Sequence, residues 1–170
     1  TIGVGTASKT LEEINLSYKN ALTALEYKVV MGSDKIIVIE DVEPESAEKI
    51  IFDENKEQRL VSVIKVGTAD EIYKCVDRLF EEISKKKATV KDYQIYIMEI
   101  ITTIFKAAKS VNIEISTLFG ESDNIFSKLN RINELSEIKD VIKNICSTIS
   151  KSIHVKRQET FNQLVFKAKE

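Results

Sequence analysis

The chain has 170 residues, 43% of them hydrophobic, and 25 basic against 27 acidic side chains leave a net charge of -2. A chain of this size buries roughly two thirds of its unfolded surface, and its near-neutral balance excludes an overall electrostatic grip on nucleic acid or an anionic membrane. No segment approaches the roughly 18 uninterrupted apolar residues that a membrane span needs. Cys75 and Cys146 stand far apart on predicted helices and do not suggest a disulfide framework, so a reducing cytoplasm is the expected compartment.

The first predicted strand, Ile2 to Thr6, alternates Ile2 and Val4 with Gly3 and Gly5. Thr10 stands three residues before Glu13, the spacing of a capping box, which predicts a helix from Leu11 to Met31. Ile14, Tyr18, Ala21, Leu22 and Leu25 share one face of that helix and are expected to lie on the sheet. Gly32 supplies the C-terminal cap. A second strand follows over Lys35 to Glu40, where Ile36, Ile37, Val38 and Ile39 form the unbroken β-branched run of a strand buried on both faces. Two strands are marginal as a sheet. Because the chain opens on Thr1 with a strand one residue later, it is expected to be a piece of a longer polypeptide whose other strands lie upstream, its open edge left bare or paired with a second copy.

From Glu40 to Glu57 eight acidic residues face Lys49 and Lys56, and the only proline, Pro44, sits among them. Their spacing lacks the periodicity and the bend glycine of a calcium loop, so the stretch reads as a solvated boundary. The domain expectation is therefore an α/β piece over 1–43, a helical bundle over 44–134 and a long connector helix over 135–170.

The bundle begins with a helix over Asn55 to Lys65. A second, capped by Thr68 with Glu71, runs to about Lys86 with Ile72, Val76, Leu79, Phe80 and Ile83 inward. On its outer face Glu81 is expected to pair with Lys85 and Glu82 with Lys86. Thr89 caps the most apolar helix, Val90 to Val111, the expected centre of the bundle. Its Tyr93, Tyr96 and Phe105, with Met98 nearby, are core residues first and ligand-pocket candidates second. A connector over Asn112 to Ser122 and a short helix over Asp123 to Ile132 follow. From about Leu135 neither glycine nor proline interrupts the chain to Glu170. Ile138, Ile142, Ile145 and Ile149 make a coiled-coil-like stripe, a candidate dimer seam.

Chemistry is thin. Gly3 and Gly5 are two of the three glycines of a dinucleotide loop, and the third is missing. His154 is the only histidine and has no metal-ligand or triad companions at useful spacing. No catalytic, cofactor or metal site is expected.

The segment Ile2-Gly3-Val4-Gly5, the helix containing Ser17-Tyr18 with Ala21, Ala24 and Leu25, and the strand Ile36-Ile37-Val38 behind Gly32 together resemble the C-terminal half of a degenerate GGDEF-type domain. The likeness is closest to the version between the receiver and the AraC-type helix-turn-helix of YesN-like response regulators. The later helices are similar in pattern to the region linking that domain to the DNA-binding helices. The resemblance implies a cytoplasmic, non-enzymatic region that transmits a phosphorylation signal and self-associates as a homodimer. DNA would be contacted only through a helix-turn-helix beyond the chain, and a sensor kinase only through a receiver before it. The nucleotide- and metal-binding hairpin of active cyclases has no counterpart here. Two rivals stand beside this reading: a small-molecule-sensing domain, and a self-standing helical interaction module.

Overall fold

The computed structural model describes residues 1–43, 49–86, 88–113 and 134–167. The protein is mostly helical, with one short parallel sheet at its N-terminal end. Strand β1 (Ile2–Val4) leads through helix α1 (Ile14–Glu26) and the short α2 (Lys28–Met31) to β2 (Ile36–Val38). The strands pair in parallel, Ile2 opposite Ile36 and Val4 opposite Val38. A one-turn helix, α3 (Ile39–Val42), follows at once. Then come α4 (Glu54–Val66), α5 (Ala69–Ser84), α6 (Val90–Lys109) and the 33-residue α7 (Leu135–Lys167). The connector and short helix expected between Asn112 and Ile132 lie, from residue 114 on, outside the described residues.

The helix starts follow their cap chemistry. Asp53 accepts the Lys56 amide at 2.9 Å at the head of α4. Thr68 and Glu71 form the reciprocal box of α5, the Glu71 carboxylate accepting the Thr68 amide at 2.8 Å while the Thr68 hydroxyl accepts the Glu71 amide. Thr89 and Asp92 do the same for α6. These contacts satisfy amides that the first helical turn leaves without partners.

The N-terminal unit departs from expectation in four places. Glu13 reaches back to the Lys9 amide at 2.7 Å, residues 10–14 close as i to i+3 turns, and α1 begins at Ile14 without a side-chain cap. The long first helix breaks at Tyr27, whose amide takes the tighter bond to the Ala24 carbonyl. Ile36 is exposed while Ile37 is buried, so β2 is covered on one face only, and Ile39 has left the strand for α3. Of the expected sheet-facing residues of α1, Ala21 and Leu25 lie over β1, but Ile14, Tyr18 and Leu22 remain exposed.

Two apolar clusters result among the described residues. The large one is built by α4, α5, α6 and α7; the small one joins Ala24, Tyr27, Ile37 and Ile39 to Val90 at the head of α6. Val29 and Val30 also lean on the large cluster, so the first 43 residues are docked onto the bundle both through Tyr27 and through α2 itself.

Candidate functional site

The residue pattern that most invited a functional reading, the isoleucine stripe of α7, is spent inside the chain. Ile138, Ile142, Ile145 and Ile149 are all buried, and Ile153 extends the stripe past Ser152. They pack against α5 and α4, so this face is not available as a seam between copies. Charges reinforce the same contact. Asp77 of α5 receives Lys143 at 2.6 Å and Lys139 at 3.3 Å, and Lys143 also sits 5.6 Å above the Tyr73 ring. The Lys143 hydrogen bond, with help from Lys139, holds the Asp77 carboxyl below its usual range.

Beyond Ile153 the helix changes character without interruption. Lys156 donates to the Asn112 carbonyl just past the end of α6, where a cation answers the negative end of a helix dipole. Val155, Phe161 and Phe166 are exposed, as is His154. Thus α7, about 50 Å long at the usual rise, is anchored over its first half and bare over most of its second.

The aromatic candidates of α6 are core residues. Tyr93 is buried and its hydroxyl donates to the Lys86 carbonyl at 2.6 Å. Tyr96 is fully buried, edge-on to Phe52 at 5.6 Å, and its hydroxyl has no partner among the described residues. Burial raises its pKa, with Glu82 and Asp53 adding to the effect. Phe105 is half-buried against the large cluster. None of the three lines the groove that does exist on α6. That groove, about 560 Å³, has Phe52, Ile95 and Met98 as apolar lining and Glu57, Glu99, Lys91 and Lys106 among its charged residues. Met98 alone of the ligand candidates belongs to it. The 3.6-residue repeat placed the rings and Met98 on one helix without saying which of its sides stays uncovered.

Cys75 of α5 and Cys146 of α7 are both free and buried, and both belong to the large apolar cluster. Burial pushes the Cys75 thiol up and the Cys146 thiol to about 12, with the neighbouring Cys75 contributing to the second shift. Such thiols are protonated and poor nucleophiles.

Gly3 and Gly5 do not cradle phosphate. A Cβ at either would overlap the carbonyl oxygen of Ala21 or of Ser17, so both are taken up by close contact between β1 and α1. Among the described residues no group of three potential ligands could hold a metal ion, and no helix is long and apolar enough to cross a membrane.

Two nodes escaped the sequence reading. Glu82 pairs with Lys56 of α4 at 2.7 Å rather than with Lys86, and Lys86 reaches the Lys49 carbonyl at 3.1 Å. Tyr27, buried beside Glu43, Asp92 and Tyr93, faces the Val90 amide with its hydroxyl. The first involves partners 26 residues apart. For Asp77, the i, i+4 repeat of Lys139 and Lys143 was a usable signal, because both must leave the helix on one side.

Comparison with known proteins finds no family model, no curated protein and no solved structure that matches this chain.

Proposed function

We propose that this chain is a non-catalytic transmission region of a DNA-binding response regulator, with α7 as the output element. The observation that carries the reading is the division of α7. One uninterrupted helix is clamped to α4 and α5 through Ile153 and runs on to Lys167, exposed from His154 to Gln163 and again at Phe166. A rotation or shift imposed on the clamped half is delivered to whatever the bare half holds. On this reading the sheet unit receives the signal, the bundle passes it on, and self-association uses a surface other than the isoleucine stripe.

The test is helical phase in the full-length protein. One residue inserted after Lys156 rotates everything downstream by about 100°, whereas seven residues restore the phase to within about 20°. Transcriptional output lost with one residue and kept with seven supports the reading. Equal output from both, or a gene that encodes no DNA-binding helices after Glu170, overturns it.

The groove on α6 favours a second reading, a small-molecule sensor. Its volume lies in the range of ligand sites, about 300–1,000 Å³. A metabolite that raises the melting temperature in wild type and not in Met98→Lys favours the sensor.

A further inference from the structure

The turn between α2 and β2 is tied on three sides. Gly32 ends α2, its amide donating to the Lys28 carbonyl at 2.8 Å, and takes φ 86° and ψ 168°, a region that only glycine occupies without strain. The Asp34 amide donates to the Thr1 hydroxyl at 3.1 Å and the Lys35 carbonyl accepts the Ile2 amide at 2.9 Å, which joins the turn to the start of β1. Between these, the Ser33 amide leaves the N-terminal unit and donates to the Glu134 carboxylate at 3.4 Å.

Glu134 is the residue on which α7 starts. Its carbonyl accepts the Glu137 and Ile138 amides at 3.1 and 3.2 Å, and its other carboxylate oxygen accepts the Ser136 hydroxyl at 3.4 Å. A carboxylate at this place complements the positive end of the helix dipole. The same group holds an amide that lies 101 residues earlier in the chain. Apolar packing follows the same line. Val29 and Val30 of α2 and Leu135 of α7 all pack on the large cluster and line one cleft of about 360 Å³, with Phe80 and Ser84 of α5 on its third side. Lys139 also lines that cleft, and its ammonium group is the one that meets Asp77 at 3.3 Å.

We infer that the turn from Gly32 to Lys35 is a positioning contact for the head of α7, coupling the sheet unit to that helix directly as well as through the rest of the bundle. A continuous set of hydrogen bonds runs from β1 through the turn to Glu134 and so to the first amides of α7. The Ser33 contact is solvent-exposed, so it is weak and readily made and broken. Linkage makes such a contact reciprocal: what displaces the turn alters the first turn of α7, and what displaces Glu134 alters the turn. Its use as a signal input rests on the transmission reading, whereas the coupling itself does not.

Amide exchange of the purified chain, followed by NMR, tests the coupling with two substitutions. Glu134 belongs to neither apolar cluster, so Glu134→Ala removes the acceptor without touching the core. The Ser33 amide should then exchange about threefold faster or more, the lower range for one lost hydrogen bond. Gly32→Ala adds a methyl group that meets nothing within 4 Å, so it acts by forcing the turn out of its conformation. Exchange at Glu137 and Ile138 should rise by a similar factor, while Ile100 and Ile101, buried in α6, keep the wild-type rate. In the Glu134→Ala background Gly32→Ala should lose most of that effect.

An unchanged Ser33 rate in Glu134→Ala, unchanged rates at Glu137 and Ile138 in Gly32→Ala, or a full Gly32→Ala effect without Glu134 overturns the inference. So does equal acceleration at Ile100 and Ile101, because the turn would then act by loosening the whole bundle. If Gly32→Ala loses its sheet unit, seen as lost protection of the Ile2 amide, the Ser33 rate in Glu134→Ala decides alone. The outcome is separable from the helical-phase test. Coupling without phase dependence keeps the contact and removes its role in transmission; phase dependence without coupling leaves transmission to the bundle and overturns the direct route.

Discussion

Lys143 and Asp77 meet at 2.6 Å across the interface of α7 and α5, with Lys139 completing the cluster from one turn earlier on the same helix. The two lysines hold α7 in register above the isoleucine stripe, at a place where solvent still reaches all three side chains. The Asp77 carboxyl is held below its unfolded value, so the contact stabilises the fold above roughly pH 4, the unfolded carboxylate range, and is lost as pH falls through the folded pKa. Asp77→Asn should cost about 0.5–1 kcal/mol at neutral pH, the range for solvent-screened pairs. Urea unfolding of both proteins should show the gap at pH 7 and its closure as pH falls through the lowered folded pKa of Asp77. A gap that persists in acid would mean that Asp77 acts through packing.

The two halves of α7 should differ sharply in what they contribute to stability. Ile142 and Ile149 are fully buried, and Ile to Ala at either should cost about 2–5 kcal/mol. Phe161→Ala, in the bare half at 64% exposure, should stay within about 0.5 kcal/mol of wild type. Denaturation midpoints check this directly. Sedimentation of Ile142→Ala at several concentrations adds a second arm, since a stripe buried within one chain predicts loss of stability without a change of oligomeric state.

Cys75 and Cys146 should be silent to an aromatic disulfide reagent at pH 8 in the native protein. Both thiols are buried, and with its pKa pushed to about 12 Cys146 is almost wholly protonated there. In urea both should react completely within minutes. Rapid labelling of either thiol without denaturant would show that α5 and α7 separate readily.

Tyr96→Phe should be neutral or stabilising, by up to about 1 kcal/mol. The phenol hydroxyl has no partner among the described residues, so its removal deletes a desolvated polar group and leaves the ring against Phe52. Tyr93→Phe is the contrast, since it abandons the Lys86 carbonyl and should destabilise by about 1 kcal/mol. Thermal melts of the two variants in parallel decide the matter.

The parts of the fold legible in the sequence were those fixed by neighbours along the chain. The Thr68 box, the Thr89 cap, the inward faces of α5 and α6 and the length of α7 all follow from local residue types and from spacings of three, four and seven. What escaped was decided across the chain. The Ile36 to Ile39 run reads as a doubly buried strand, but only tertiary structure reveals that nothing described lies under Ile36 and that Ile39 turns into α3. The stripe from Ile138 to Ile149 has the same repeat whether it meets a second copy or the chain's own α5. Likewise Glu82 had Lys86 four residues away and chose Lys56, because α4 and α5 lie side by side there.

The bare carbonyl contact at Gly3 and Gly5 sets the mechanical character of the N-terminal unit. Most helices rest on a sheet through side chains, whose rotamers yield and let one layer slide over the other. Here the glycines bring β1 against the Ala21 and Ser17 carbonyls of α1, with the Leu25 side chain beside them. Strand and helix are therefore bound to each other along their backbones, and the far end of α1 continues through Tyr27 into the cluster with Val90 at the head of α6.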